Sequence, residues 1–196
     1  MKRDFDKQIN ADEFVLEIGC GSGCVLYEIV KRYRLAKAVG IDVAFKDRIE
    51  DGAISFMSAN LNESWPFETG SVDRLVGMMI LEHLFDPFHS FSEIKRVLKP
   101  TGKAYINLPL VTGIKNRLRL LTGKLPTTSR GMDVWFDMRE WDGGHLHYFS
   151  LASIHRVAGA NGLKVDQIAA VGRMRGLKTA MAGLLAGEIT FSVSHC

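Results

Sequence analysis

Short apolar runs alternate with amphipathic stretches along this chain, and glycine or proline marks most of the handovers. "FVLEIG", "AVGIDV", "ISFMSA", "VDRLVGMMIL" and "KAYINL" read as buried strands, being short, apolar and closed by turn residues. From Gly23 to Tyr33, Val25, Leu26, Ile29 and Val30 recur at helical spacing. "FKDRIED" reads as a short helix or turn, and "WPFETGS", with Pro66 and Gly70, as a turn. A well-marked helix follows: Asp86 can cap it and Pro87 suits its first position. Phe88, Phe91, Ile94, Val97 and Leu98 give it one apolar stripe, and Pro100 and Gly102 end it. Ser150 can cap a later helix that ends at Gly162. "KVDQIAAV" and "EITFSVSH" read as final strands, with a helical "LKTAMAGLLAG" between them.

Strands alternating with helices imply a parallel sheet with helices on both faces. Ligands of such sheets sit beyond the carboxyl ends of the strands, where the strand order reverses. The glycine loop after the first strand, the end of the second and the end of the fourth should therefore converge on one cleft.

Composition narrows the class. The chain has 196 residues, 46% hydrophobic and 24% charged, the balance of a soluble domain with a full core. A net charge of +3 is too mild to argue for nucleic acid, and none is expected as a partner. Three cysteines, two of them in the first glycine loop, make no disulfide framework, so a reduced, cytoplasmic compartment is expected. "MKRDFDKQINADE" is charged and lacks the apolar core of a signal peptide.

The loop "VLEIGCGSGC" admits three ligands. A phosphate loop closes on Lys-Ser or Lys-Thr, whereas Gly23 is followed by Cys24 and Val25. A dinucleotide loop is G-x-G-x-x-G, and Cys24 stands where its third glycine belongs. The third ligand is a nucleoside with a zwitterionic tail, approached by glycine backbone, with Glu17 near an ammonium or sulfonium. Asp42, at the end of the second strand, can accept both hydroxyls of a ribose, which suits either nucleotide reading.

Five ordered motifs resemble the class I S-adenosylmethionine-dependent methyltransferases, close to the small-molecule group called type 11 or type 12. They are "VLEIGCGSG", "VGIDV", "SANLNESWPFETGSVDRLVGMMILEHLFDP", "EIKRVLKPTGKAYINLP" and "GHLHYFSLASIHRVAGANGLKV", spanning about residues 14–171. The resemblance implies one α/β domain over residues 1–196: a Rossmann-like three-layer sandwich whose mostly parallel seven-stranded sheet ends in an antiparallel strand. It implies S-adenosyl-L-methionine as cofactor. Gly19, Cys20, Gly21 and Gly23 would form the loop at its methionyl part, with Glu17 near the amino group. Asp42 would hold the ribose and Val43 pack on the adenine. Asn60, where the family often has Asp, would accept the adenine amino hydrogen, with Leu61 covering the ring; Met78 and Met79 would line the methyl group.

Methyl transfer from a sulfonium is an in-line displacement, so the protein mainly aligns its reactants. A base is needed only for a hydroxyl or protonated amine. His145 and His147 are two apart, so an extended backbone would point both to one face. They and His83 are the candidate catalytic residues; Glu82 and His83 also read as a tie between loop and helix. No metal site is expected, because zinc wants more ligands than this pair and no cysteine pair is suitably spaced.

Residues 109–148 are too long for an ordinary connection and read as a lid or substrate-recognition insertion. Lys115, Arg117, Arg119, Lys124 and Arg130, then Trp135, Phe136 and Trp141, suit a small or lipid-linked, anionic acceptor. Residues 114–125 read as a short basic amphipathic helix able to lie on a membrane. About a dozen residues precede the first strand, where family members usually carry helices. Either the insertion closes the cleft, or a second subunit in a homodimer does, or the site stays open. Two rival functions remain at this point: a nicotinamide-dependent oxidoreductase, and a domain that binds the cofactor without turnover.

Overall fold

The computed structural model describes residues 9–45, 47–129 and 144–196. Seven strands form one sheet: β1 (Val15–Ile18), β2 (Ala38–Asp42), β3 (Ile54–Ser58), β4 (Val72–Met78), β5 (Leu98–Pro109), β6 (Leu163–Ala170) and β7 (Glu188–His195). Their order is β3-β2-β1-β4-β5-β7-β6. Pairs β1–β2, β1–β4, β2–β3 and β4–β5 are parallel, and β7 runs antiparallel to both β5 and β6. The expected architecture is the observed one. Strand order reverses at β1, which places the switch point, and with it the cleft, at the carboxyl ends of β1 and β4.

Helices α1 (Cys24–Tyr33), α2 (Pro87–Val97), α3 (Ile114–Leu121), α4 (Leu151–Ala160), α5 (Arg175–Ala180) and α6 (Ala182–Leu185) complete the described elements, with a 3-10 turn at Leu81–His83. Strand alternation divides the core into two layers. Leu16 and Ile18 join Phe91 and Ile94 of α2 and Ile154 of α4 on one face. Val15 joins Leu26, Ile29 and Val30 of α1 on the other.

Local chemistry sets the boundaries. Asp86 caps α2, its side chain accepting from the Phe88 N–H, with Pro87 at the first helical position. Ser150 caps α4 in a reciprocal box with Ser153. Ser150→Ala removes the oxygen that accepts from the Ser153 N–H at 3.1 Å. A loss of about 1 kcal/mol is expected, read by urea denaturation.

Three boundaries differ from the sequence expectation. β5 begins at Leu98, directly after α2, because Leu98 is already extended; Pro100 and Gly102 sit in an irregularity of the β4–β5 pairing and not in a turn. The described part of "FKDRIED" is not helical. The helical stretch before β7 is broken at Met181 into α5 and α6.

The segment between β5 and α4 carries α3 and is pinned at its base. Leu110 bridges Phe149, and the Leu110 N–H donates to Gly187 O. Arg130, Trp135, Phe136 and Trp141 lie outside the described residues. Among the described residues, no helix is long and apolar enough to cross a membrane.

Candidate functional site

The loop after β1 is sewn to the end of β2. Gly19 and Cys20 donate to Ile41 O at 2.8 and 3.2 Å, and Gly21 N–H donates to Asp42 Oδ2 at 2.8 Å. The other carboxylate oxygen, Oδ1, accepts from Val43 N–H at 2.7 Å. Gly19, Gly21 and Gly23 all have left-handed backbones, with φ of 66°, 53° and 81°. Their surroundings differ. A Cβ on Gly19 would strike Ile80 at 2.5 Å, and one on Gly23 would strike the Phe56 ring at 2.5 Å. A Cβ on Gly21 would meet nothing within 4 Å. The first and third glycines thus serve packing, and the second opens onto free space. The expected convergence is present, with Asp42 arriving from β2 and Ile80 from the end of β4.

Two carboxylates meet at this loop. Glu17 is buried, and its Oε2 accepts from the Leu26 N–H at 3.0 Å. Burial pushes its pKa up to about 8; the Leu26 hydrogen bond opposes that rise and the charge of Asp42 adds to it. Burial also pushes the Cys20 thiol up to about 12, with Glu17 and Asp42 adding to it, so this cysteine is no nucleophile. Cys24 is exposed beside the Ser22 hydroxyl.

The remaining expected cofactor contacts are spread around the same rim. Val43, just past β2, is 64% exposed, an apolar side chain with an uncovered face. Met78 packs partly against the α1-side core. Met79 holds a left-handed backbone, φ 54°, fixed by its N–H donating to Asn107 O at 3.0 Å. Strain of that kind is common where a chain shapes a site. Asn60 departs from expectation. Its Oδ1 already accepts from Asn62 N–H and Nδ2, and its amide donates to Glu63. The oxygen assigned to the adenine is committed to its own turn. Leu61 belongs to the core, 3% exposed.

His147 lies apart from the other two histidines in its contacts. His147 Nε2 lies 3.0 Å from Phe85 O. His145 Nδ1 lies 2.6 Å from Thr128 Oγ1, and its ring meets His83 edge-on at 4.8 Å. His83 Nδ1 lies 2.7 Å from Gly144 O. The expected His145–His147 pair does not form, because the two rings serve different partners. Leu146 and His147 N–H both donate to Glu82 O, at 2.8 and 3.3 Å, which ties the late loop to the end of β4. Glu82 itself is fully buried, with neither carboxylate oxygen hydrogen-bonded. Burial pushes its carboxyl up to about 7; its own backbone N–H opposes that rise and the charge of Glu188 adds to it.

One feature gave no signal in the sequence. A cavity of about 480 Å³ lies between the start of α2 and α4, with Phe88, His147, Tyr148 and Arg156 in its walls. Arg156 is an ordinary charged residue of an amphipathic helix until the fold sets it beside aromatic rings.

The methyltransferase-domain family model matches residues 3–168 of this chain. A probable S-adenosylmethionine-dependent methyltransferase of Mycobacterium tuberculosis is 33% identical over 97 residues, 48% of this chain and 35% of its own. The ubiquinone biosynthesis O-methyltransferase of Nitrosococcus oceani is 28% identical over 128 residues, 57% of this chain and 53% of its own. The chain spans between 30% and 53% of the length of the curated relatives it matches. In fold it is similar to an S-adenosylmethionine-dependent methyltransferase from Mesorhizobium loti: TM-score 0.68, 14% identity, 93% of this chain and 91% of that one. It is also similar to phosphoethanolamine N-methyltransferase 2 of Haemonchus contortus, in complex with S-adenosyl-L-methionine: TM-score 0.63, 15% identity, 96% of this chain and 50% of that one.

Proposed function

This chain belongs to the methyltransferase-domain family, and on that premise we propose that it moves the methyl group of S-adenosylmethionine to an oxygen or nitrogen of a small or lipid-linked acceptor. The observation that carries the reading is electrostatic. Glu17 and Asp42 converge on a glycine loop whose middle residue opens onto free space. A pyrophosphate there would add negative charge beside the Asp42 carboxylate and a Glu17 carboxyl already raised to about 8. An ammonium and a sulfonium would relieve them. The strand order points the same way: a reversed β7 between β5 and β6 is foreign to the 3-2-1-4-5-6 sheet of dinucleotide-binding domains.

The residue roles are carried over from the family resemblance. Gly19, Cys20 and Gly21 offer backbone to the methionyl tail, Glu17 faces its ammonium, and Asp42 accepts from the ribose hydroxyls. Val43 gives the adenine an apolar face, and Met78 and Met79 flank the methyl group. In the reaction the acceptor lone pair forms a bond to the methyl carbon as the carbon–sulfur bond breaks. That electron pair stays on sulfur, giving S-adenosylhomocysteine, and the acceptor releases its proton. Alignment alone contributes about 7–11 kcal/mol to such a step. His83, His145 and His147, held by backbone or hydroxyl partners near the end of β4, are the candidates to take that proton. Calorimetry is expected to give binding of both S-adenosylmethionine and S-adenosylhomocysteine. NADH bound more tightly than either would overturn the assignment.

A lipid-linked acceptor is favoured by α3. Of its residues only Asn116 is buried, while Leu118, Leu121 and nearby Leu125 are 55%, 82% and 62% exposed. Lys115, Arg117, Arg119 and Lys124 surround these leucines. Such a surface suits anionic headgroups over an apolar boundary. The protein is expected to sediment with vesicles of phosphatidylglycerol and much less with phosphatidylcholine. The double substitution Leu118→Glu, Leu121→Glu should release it, and equal recovery of both proteins in the supernatant counts against the membrane contact.

A further inference from the structure

We infer that Glu82, His83 and His145 form a binding site for a divalent transition-metal ion at the carboxyl end of β4. Each offers one ligand atom, and the three atoms lie within 4.8 Å of one another. Two imidazoles and a carboxylate suit zinc and its first-row neighbours, and they leave a coordination position open.

Glu82 supplies the independent sign. Its carboxylate is buried, and neither oxygen has a hydrogen-bond partner. A buried carboxylate is strongly unfavourable unless it is neutralised or paired with a cation. Arg and Lys do not meet this need among the described residues, since the ion pairs there are made by other carboxylates.

The histidines are oriented for ligation. Gly144 O can only accept, so neutral His83 carries its proton on Nδ1 and presents the Nε2 lone pair. His145 Nδ1 lies 2.6 Å from the Thr128 hydroxyl, which steadies the ring and, able to donate or accept, permits either tautomer. Such outer hydrogen bonds are what set the tautomer and ring direction of metal-bound histidine. The backbone around the cluster is already clamped, because Leu146 and His147 donate to Glu82 O. Ligand bonds of about 2.0–2.2 Å require the three donors to close by roughly an ångström, which side-chain rotation supplies.

The ion's role rests on the methyl-transfer reading. Ile80, which packs on Gly19 of the cofactor loop, is two residues from Glu82. A metal with an open position there can hold an acceptor oxygen and lower its proton affinity. With His83 and His145 as ligands, the acceptor's proton would pass to water or to His147 and not to either of them.

Cobalt(II) tests the site directly. Metal-depleted protein titrated with Co²⁺ should show visible d–d absorption saturating at one equivalent, and Zn²⁺ should abolish it. His83→Ala and His145→Ala should each weaken Co²⁺ binding at least tenfold while keeping calorimetric binding of S-adenosylhomocysteine. Absence of the bands, bands undiminished in both variants, or a thiolate-to-cobalt charge-transfer band placing the ion on a cysteine would each overturn the site. The two readouts stay separate. Co²⁺ binding without S-adenosylhomocysteine binding would remove the methyl-transfer reading and leave the metal site standing, and the reverse result would do the opposite.

Discussion

Asp42→Ala is expected to weaken S-adenosylhomocysteine binding a hundredfold or more, measured by calorimetry. The carboxylate has two tasks, and alanine ends both. First, Oδ2 accepts the Gly21 N–H at 2.8 Å, and Oδ1 accepts the Val43 N–H at 2.7 Å and, at a long 3.5 Å, that of Ala44, which leaves the carboxylate able to accept from ribose hydroxyls. Hydrogen bonds to a charged group contribute about 1.5–3 kcal/mol apiece, so losing two accounts for the stated factor. Second, the Gly21 N–H loses its anchor, and the loop held open beside Gly21 is no longer fixed to β2. Asp42→Asn separates the two effects. Its oxygen can still receive the Gly21 N–H, so the loop stays in place, but its amide cannot accept from a second hydroxyl. An intermediate loss is expected for Asn. Equal affinity in wild type and Asp42→Ala would remove the ribose from this position.

The place of Asp42 beside the glycine loop was legible because it is local. An acidic residue closing a strand of valine, glycine and isoleucine, one helix after a glycine loop, is a short-range pattern, and the fold delivers both ends to the same place. The strands and the caps at Asp86 and Ser150 were legible for the same reason: each rests on neighbours within a few positions. Two things were not. Pro100 and Gly102 look like the end of α2, yet pairing with β4 draws Leu98 into the sheet first, and tertiary hydrogen bonding overrides the turn signal. The Glu82–His83–His145 cluster joins segments about 60 residues apart, brought together when backbone donors at residues 146 and 147 reach Glu82 O. In sequence, His145 looked like the partner of His147, two residues away. Alternation predicts such a pair only where the backbone is a strand, and here it belongs to an irregular loop. The local partners of Asn60 were hidden for a similar reason. Its family position suggested an adenine contact, while its actual neighbours, Asn62 and Glu63, occupy both its oxygen and its amide.

Glu17→Gln should act in opposite directions on stability and on cofactor binding. In the folded protein the Glu17 carboxyl is raised to about 8 from an ordinary 4.5. The folded state therefore keeps its proton over a range where the unfolded chain has released its own. Stability is fully present below about pH 4.5 and falls as pH rises towards 8, beyond which it levels off. A gap of that size corresponds to on the order of 5 kcal/mol at alkaline pH. Glutamine has no proton to lose and can still accept from the Leu26 N–H. Its melting temperature should match wild type near pH 5 and exceed it by several degrees at pH 8. Binding should move the other way. Wild-type Glu17 must ionise to face an ammonium, so S-adenosylhomocysteine binding should release a proton near neutral pH, and affinity should strengthen towards pH 8. Calorimetry in buffers of different ionisation enthalpy reads that proton directly. Glu17→Gln should bind more weakly and release none. A wild-type enthalpy that is the same in every buffer would mean that the buried carboxyl stays protonated, and the ammonium would then need another partner.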